Sequence, residues 1–249
     1  MAINVNTVYQ TVLMILNKEQ RGYMTPTEFN TVATQVQLEI FEKYFDDLNQ
    51  QLRVPQADTD YADRQENIDE KLAIFKTFGN AIYTTVAGLS YFVLPTSDGY
   101  SDVVSFYRLG NVLYNDEKVV QRLDRREFYY ANQSRLTKPS TINPAYLYEN
   151  QKLFVKPTSI IDKIKVDYVR KPSNVVWGFT PGTLGQYEWN ETAYSLNNPT
   201  GSTDFEIHES EQIEVVLKIL LYSGIIIRDP EVVQTAAALV QAEETNKKS

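Results

Sequence analysis

The residues of this chain that could carry out chemistry are few. It has no cysteine and a single histidine, His208. The missing thiols remove disulfides, thiolate metal sites, iron–sulfur clusters and cysteine nucleophiles together, and fit a reducing compartment. A Ser-His-Asp triad could be assembled only around His208, and His208-Glu209-Ser210-Glu211 lacks the second histidine of a helix-borne zinc pair. Placed where a helix should start, His208 reads as a surface or capping residue. Asp58-x-Asp60-x-Ala62-Asp63 opens like a calcium loop. Alanine stands at its fifth position, however, and aspartate where the turn needs glycine, so it reads as an acidic surface. The carboxylate pairs Asp46-Asp47 and Glu243-Glu244 are sequence neighbours, and adjacent side chains on a helix do not aim at one point. No nucleophile elbow, Walker loop or dinucleotide fingerprint occurs. The expectation is a protein that is not an enzyme, with no catalytic residue, metal or cofactor.

Binding chemistry is better represented. Arg122, Arg125, Arg126, Arg135 and Lys138 interleave with Phe128, Tyr129 and Tyr130, a pattern that suits either nucleic acid or the acidic segments of a neighbouring copy. Charge favours the neighbour. Residues 1–79 hold 12 acids and 7 bases (−5), 80–175 hold 9 and 13 (+4), 176–203 hold 2 and 0 (−2), and 204–249 hold 9 and 4 (−5), for a total of −8. A protein that grips DNA phosphates is expected to be basic or to carry a dense basic stripe, and this chain does neither. Trp177 and Trp189 lie in a Gly-rich segment and could be core or intermolecular anchors. A stripe of Val232, Val233, Ala236, Ala237, Leu239 and Val240 near the end could close the protein's own core or dock on a partner ring. Candidate interface residues are therefore Trp177, Trp189, Arg125, Arg126, Val232, Val233, Ala236 and Val240.

Hydrophobic residues make up 43% of 249, enough for a sizeable core in one large domain or two small ones. No run approaches about 18 apolar residues and the start lacks a basic leader region, so the chain is expected to be soluble and unexported. Asn6 or Thr7 should cap a first helix carrying Val8, Val12, Ile15 and Leu16, with Gly22 as its stop. Thr25-Pro26-Thr27-Glu28 has the order of a capping box with proline at the first helical position. It predicts a long helix whose stripe runs from Phe29 to Leu52 and ends before Pro55. Residues 56–71, with six acids, should form a linker into a third helix bearing Ile68, Leu72, Phe75 and Phe78.

From Asn80 the period becomes that of strands, around Ile82–Val86, Leu89–Leu94 and Val103–Leu109, broken by Gly88, Pro95, Gly99 and Gly110. Asp124-Arg125-Arg126-Glu127 resembles another capping box and opens a helix to about Arg135. Strand patterns return at Tyr146–Tyr148, Leu153–Val155 and Ile160–Val169, with a hairpin turn at Glu149-Asn150-Gln151. Lys171–Thr203 shows no sustained period and exceeds the usual length of an unstructured loop. Two helices should close the chain, parted at Asp229-Pro230. The fold class is α+β, with N- and C-terminal helices packed together around a β-rich middle. The regions are 1–79 (helical), 80–175 (β-rich with one short helix), 176–203 (a long loop) and 204–249 (C-terminal helices).

Three groups of residues are similar to a known family. Leu16-Asn17-Lys18-Glu19-Gln20-Arg21-Gly22 is followed by Thr25-Pro26-x-Glu28-Phe29-Asn30 and by Gln35-x-Gln37-x-Glu39-Ile40-Phe41-Glu42. Tyr168-Val169-Arg170-Lys171-Pro172 stands with Trp177-Gly178 in the middle, and Phe205-Glu206-Ile207-His208-Glu209-Ser210-Glu211-Gln212 near the end. Together they resemble the head-to-tail ring (adaptor) proteins of crAss-like and related tailed bacteriophages. That resemblance implies a structural virion protein, assembled in the host bacterial cytoplasm into a homo-oligomeric ring, dodecameric in number, at the head–tail junction. Such a ring binds the portal and further tail or ring proteins and continues the DNA channel used in genome ejection, with no specific DNA binding and no membrane. The alternatives are a tail-tube or nozzle ring component and a DNA-packaging factor. The last would need a basic stripe or a converging carboxylate cluster, and neither occurs in the sequence.

Overall fold

The computed structural model describes residues 2–18, 24–51, 64–95, 106–195, 198, 200–227, 234 and 237–242. In chain order the elements are β1 (Ala2–Ile3), α1 (Val5–Lys18), α2 (Pro26–Gln51), α3 (Arg64–Ala73), β2 (Lys76–Asn80), β3 (Ile82–Val86), β4 (Leu89–Val93), β5 (Phe106–Tyr114), β6 (Lys118–Val119) and β7 (Gln121–Arg122). There follow α4 (Arg125–Gln133), β8 (Ala145–Glu149), β9 (Lys152–Lys156), β10 (Ile164–Arg170), β11 (Phe179–Pro181), β12 (Tyr187–Trp189), β13 (Phe205–His208), a 3-10 turn (Glu209–Glu211) and α5 (Gln212–Ile227). The fold is mixed α+β, as the sequence periods indicate. It divides into two compact units, Met1–Leu72 with Pro172–Ser249, and Ala73–Lys171.

In the first unit α5 packs on both α1 and α2, so the N- and C-terminal helices share a core. Val8, Val12 and Leu16 of α1, Phe29, Val36 and Ile40 of α2, and Val215 and Ile219 of α5 are all buried, each set recurring at the three- and four-residue spacing of one helical face. The capping box is present: Thr25 Oγ1 accepts from the Glu28 N–H at 3.4 Å while a Glu28 carboxylate oxygen accepts from the Thr25 N–H at 2.9 Å. Helix α1 begins two residues earlier than the sequence indicates. Asn4 caps it, its Oδ1 accepting from the Thr7 N–H at 3.1 Å, so neither Asn6 nor Thr7 does. Ile15 is exposed and Tyr9 takes the core place instead. Helix α2 ends at Gln51, and Leu52, Gly22, residues 58–63 and residues 228–230 lie outside the described residues. Short β1 pairs antiparallel with β13, joining the first residues to residues 205–208.

In the second unit two sheets share one core. One has the order β2-β10-β5-β6 and the other β3-β4-β9-β8-β7, antiparallel throughout except for the β7–β8 pair. Val112, Ile164, Val166 and Tyr168 of the first meet Phe92, Tyr146, Leu153 and Val155 of the second. The unit begins a few residues before the expected boundary at 80, because Lys76–Asn80 pairs with β10 as a strand. For the same reason α3 stops at Ala73, and Phe78 lies on a strand with its ring exposed. Strand β5 runs through Gly110, where the sequence suggests a break. The register shifts beside it, between Val166 and Tyr168, and a Cβ at Gly110 would meet the Asp167 carboxylate at 3.0 Å. The glycine therefore admits a bulge and does not end the strand. The Asn150-Gln151 turn forms as expected, both residues with positive φ.

Candidate interaction surfaces

Helix α2 bears three polar residues on the side that meets the chain returning from the second unit. The side-chain amide of Asn30 accepts from the Trp177 N–H at 2.7 Å and donates to the Trp177 carbonyl at 3.3 Å. Thr34 Oγ1 accepts from the Val175 N–H and donates to its carbonyl. Gln37, fully buried, donates to the Ser173 carbonyl at 2.6 Å and accepts from the Glu206 N–H at 2.9 Å. Residues at i, i+4 and i+7 of one helix thus serve the backbone of residues 173–177 as the edge of a neighbouring strand would.

Trp177 is carried inward by this arrangement. Its ring lies against Tyr9 (centroids 4.4 Å) and Phe179 (6.1 Å, stacked), and its Nε1–H donates to Asn6 Oδ1 at 3.1 Å. Buried in its own unit, it does not belong to the interface residues. Trp189 is half-buried and donates to Ser202 Oγ at 3.0 Å. The expectation of a long loop over 176–203 is likewise corrected. Val176 bridges Thr203, β11 and β12 form a hairpin, and Gly178 lies so close to Thr200 and Gly201 that a Cβ there would sit 2.2–2.4 Å from their backbone. These bonds join residues distant in sequence, which is why no local period reveals them.

A partly buried set of ion pairs ties α2 to α5, and α3 to the 3-10 turn before α5. Glu214 accepts from Lys43 at 3.0 Å and lies 3.8 Å from Lys218, which is 3.7 Å from Glu39. Glu211 is paired with Lys71, and the Tyr222 hydroxyl donates to Glu39. The latter bond, with burial and the nearby carboxylate adding to it, pushes the Tyr222 hydroxyl up to about 12. Burial, followed by the charges of Glu211, Glu214 and Asp47, pushes the Tyr44 hydroxyl well above the usual phenol range. Acids and bases of α2, α3, the 3-10 turn and α5 are paired here, the arrangement of a clamp. Among the described residues no group of His, Asp and Glu could hold a metal ion. The acids Asp58, Asp60 and Asp63 lie outside them. His208 caps the 3-10 turn, its Nδ1 accepting from the Ser210 N–H at 3.2 Å.

Helix α4 presents the basic and aromatic residues. Arg125 and Arg126 are exposed, as are Tyr129 and Tyr130, while Phe128 is buried beneath. Arg125 reaches Glu149 at 3.6 Å, and the Arg122 guanidinium lies 6.0 Å from the Tyr148 ring. Asp124 occupies the N-cap position, but its side chain makes no cap hydrogen bond, so the local motif is not a working capping box. Of the C-terminal stripe, Val232, Val233 and Ala236 lie outside the described residues; residues 237–242 are helical, with Val240 half-buried and Leu239 exposed.

The division into units sharpens the charge pattern. Ala73–Lys171 holds 14 bases and 9 acids (+5), and the remainder holds 10 bases and 23 acids (−13). Between Lys171 and Lys218 there is no lysine or arginine at all. Among the described residues no helix is long and apolar enough to cross a membrane. No protein-family model matches the chain, and no curated protein matches its sequence.

Proposed function

We propose that the protein is a structural virion component that acts by assembling: a homo-oligomeric ring at the head–tail junction of a tailed bacteriophage. The ring joins the portal to the tail and continues the DNA channel. The observation that carries this reading is the segregation of charge, +5 on one folding unit and −13 on the other. Each copy then owns two complementary surfaces in different places. Contacts between unlike surfaces are head-to-tail, and they close into a ring where the rotation allows. A net charge of −8 per copy suits a channel that repels phosphates and lets DNA slide.

The test is the mass of the purified protein against concentration and salt, with negative-stain images of the product. A closed oligomer is expected at low ionic strength. It should weaken as the Debye length contracts from about 10 Å at 0.1 M to about 3 Å at 1 M salt. A chain that stays monomeric at all concentrations, alone and with a portal ring present, would refute the reading.

A further inference from the structure

The outer face of the five-stranded sheet is covered on one side only. Strand residues that face the shared core are Phe92, Leu153, Val155 and Tyr146; with a period of two, their neighbours face outward. Helix α4 packs on β8, and the outward Ala145 and Leu147 are buried there. Across β3, β4 and β9 the same face is open: Ile82, Val86 and Leu89 are 56, 54 and 63% exposed. Tyr91 and Phe154 pack ring to ring beside them (5.9 Å), with the Lys152 ammonium 4.4 Å from the Tyr91 ring and Lys156 further along β9.

This open face ends at an unprotected edge. Among the described residues β3 pairs with β4 alone, and no charged residue occurs from Thr77 to Ser97. Exposed edges normally carry lysine, proline or a bulge that discourages pairing with another chain. An apolar edge without such protection fits a surface that is covered in the assembled state.

The occupant can be read from charge. The only charged residues of β3, β4 and β9 are the β9 lysines Lys152 and Lys156, whereas the β11–β12 hairpin sits in the stretch that has no base from Pro172 to Leu217. Leu184 at its tip is 91% exposed, Tyr187 is exposed, and Glu191 follows them in the open, while Glu188, next to Tyr187 on β12, belongs to the other face. We propose that the open β3–β4–β9 face receives the β11–β12 hairpin of a second copy, with Leu184 and Tyr187 on the apolar strip and Glu191 toward Lys152 and Lys156. Donor and acceptor belong to different units, so the contact repeats head to tail; it rests on the self-assembly reading and gives that reading a surface.

Because the chain has no cysteine, single thiols can map the contact in the full-length protein. Leu89→Cys and Leu184→Cys both alter exposed side chains. The L89C/L184C double variant, mildly oxidised, should give a ladder of disulfide-linked oligomers, and an equal mixture of the two single variants should give a linked dimer. Pairing Leu184→Cys with Leu136→Cys, an exposed position beyond α4, should link at least tenfold less. Glu191→Lys should weaken the ladder at least tenfold, Glu188→Lys should not, and adding Lys152→Glu with Lys156→Glu to Glu191→Lys should restore it. If oligomers form but the L89C/L184C thiols stay free, this contact is wrong while self-assembly stands. Self-linking of Leu89→Cys in preference to Leu184→Cys would mean symmetric edge pairing and would also overturn it. A protein that neither oligomerises nor links overturns both.

Discussion

Replacing Glu214 by leucine removes the acceptor that two lysines share. Glu214 is 3% exposed, and Lys43 and Lys218 keep only 19% and 12% of their side chains in reach of water. Removing one partner of a buried pair costs about 3–5 kcal/mol, because the other charge stays buried without compensation. Lys218 retains Glu39 at 3.7 Å and both lysines are partly wet, which brings the expected cost to about 2–3 kcal/mol. At roughly 2 kcal/mol per M of urea, the unfolding midpoint should fall by about 1–1.5 M. Both tryptophans lie within residues 172–249, so their fluorescence follows this unit alone, whatever the other one does. Lys43→Met added to Glu214→Leu should return at least half of the loss, since apolar replacement of a whole buried pair is often neutral or stabilising. The surface pair Arg125–Glu149, with side chains 70% and 38% exposed, supplies the contrast: breaking it should cost at most about 0.5 kcal/mol. The reasoning is refuted if Glu214→Leu costs no more than that surface change, or if the double variant loses the sum of its two single losses.

Three further outcomes are expected. Hydrogen bonds from Thr25 lower the Glu28 carboxyl below its ordinary value of 4.5, so the stability it gives α2 is present above that value and lost as pH falls through the lowered one. Amide exchange at the start of α2 should accelerate in acid in the parent, and Glu28→Gln should remove most of that dependence. The raised Tyr222 hydroxyl contributes stability that is present below about 10 and lost as pH rises toward about 12; Tyr222→Phe should flatten this alkaline loss in the same fluorescence assay. Gly178→Ala drives a methyl into the Thr200–Gly201 backbone and should destabilise the unit by about 1–3 kcal/mol with a red shift of tryptophan emission; an unchanged spectrum and midpoint would show that the two segments part easily.

What the sequence reveals of this fold is what its local rules decide. The α2 start is legible because Thr25, Pro26 and Glu28 complete one hydrogen-bonding motif within four residues, and the 150–151 turn because Asn150 readily accepts positive φ. Asp124-Arg125-Arg126-Glu127 has the same letters as a capping box and fails, since a cap depends on a side-chain rotamer that residue order does not fix. Gly110 misleads because its role is set by Asp167 on the partner strand. Residues 173–177 look structureless because their order comes from Asn30, Thr34 and Gln37, some 140 positions earlier. The signal that could have exposed this was three amide or hydroxyl residues at i, i+4 and i+7, lined up on one side of an amphipathic helix. Of the interface candidates, Arg125 and Arg126 are exposed and Trp177 is not, because a tryptophan with a long-range partner for its Nε1–H cannot be told from an anchor by its immediate neighbours.

The second unit leaves and re-enters the chain by adjacent strands: Lys76 pairs with Val169, and the Arg170 N–H donates to the Phe75 carbonyl at 3.0 Å. During synthesis α1, α2 and α3 emerge before the rest of their own unit, residues 172–249 with α5, and the about 100 residues of the second unit lie between. While that span is unfolded, bringing Pro172 back to the end of α3 requires closing a long loop. Once it has folded, its ends stand side by side and the span closes like a loop of about half a dozen residues, which lowers the entropic cost by about 2.5 kcal/mol. The inserted β unit is thus expected to fold first and template its host, and until α5 arrives the apolar faces of α1 and α2 are the part of the nascent chain most in need of a chaperone.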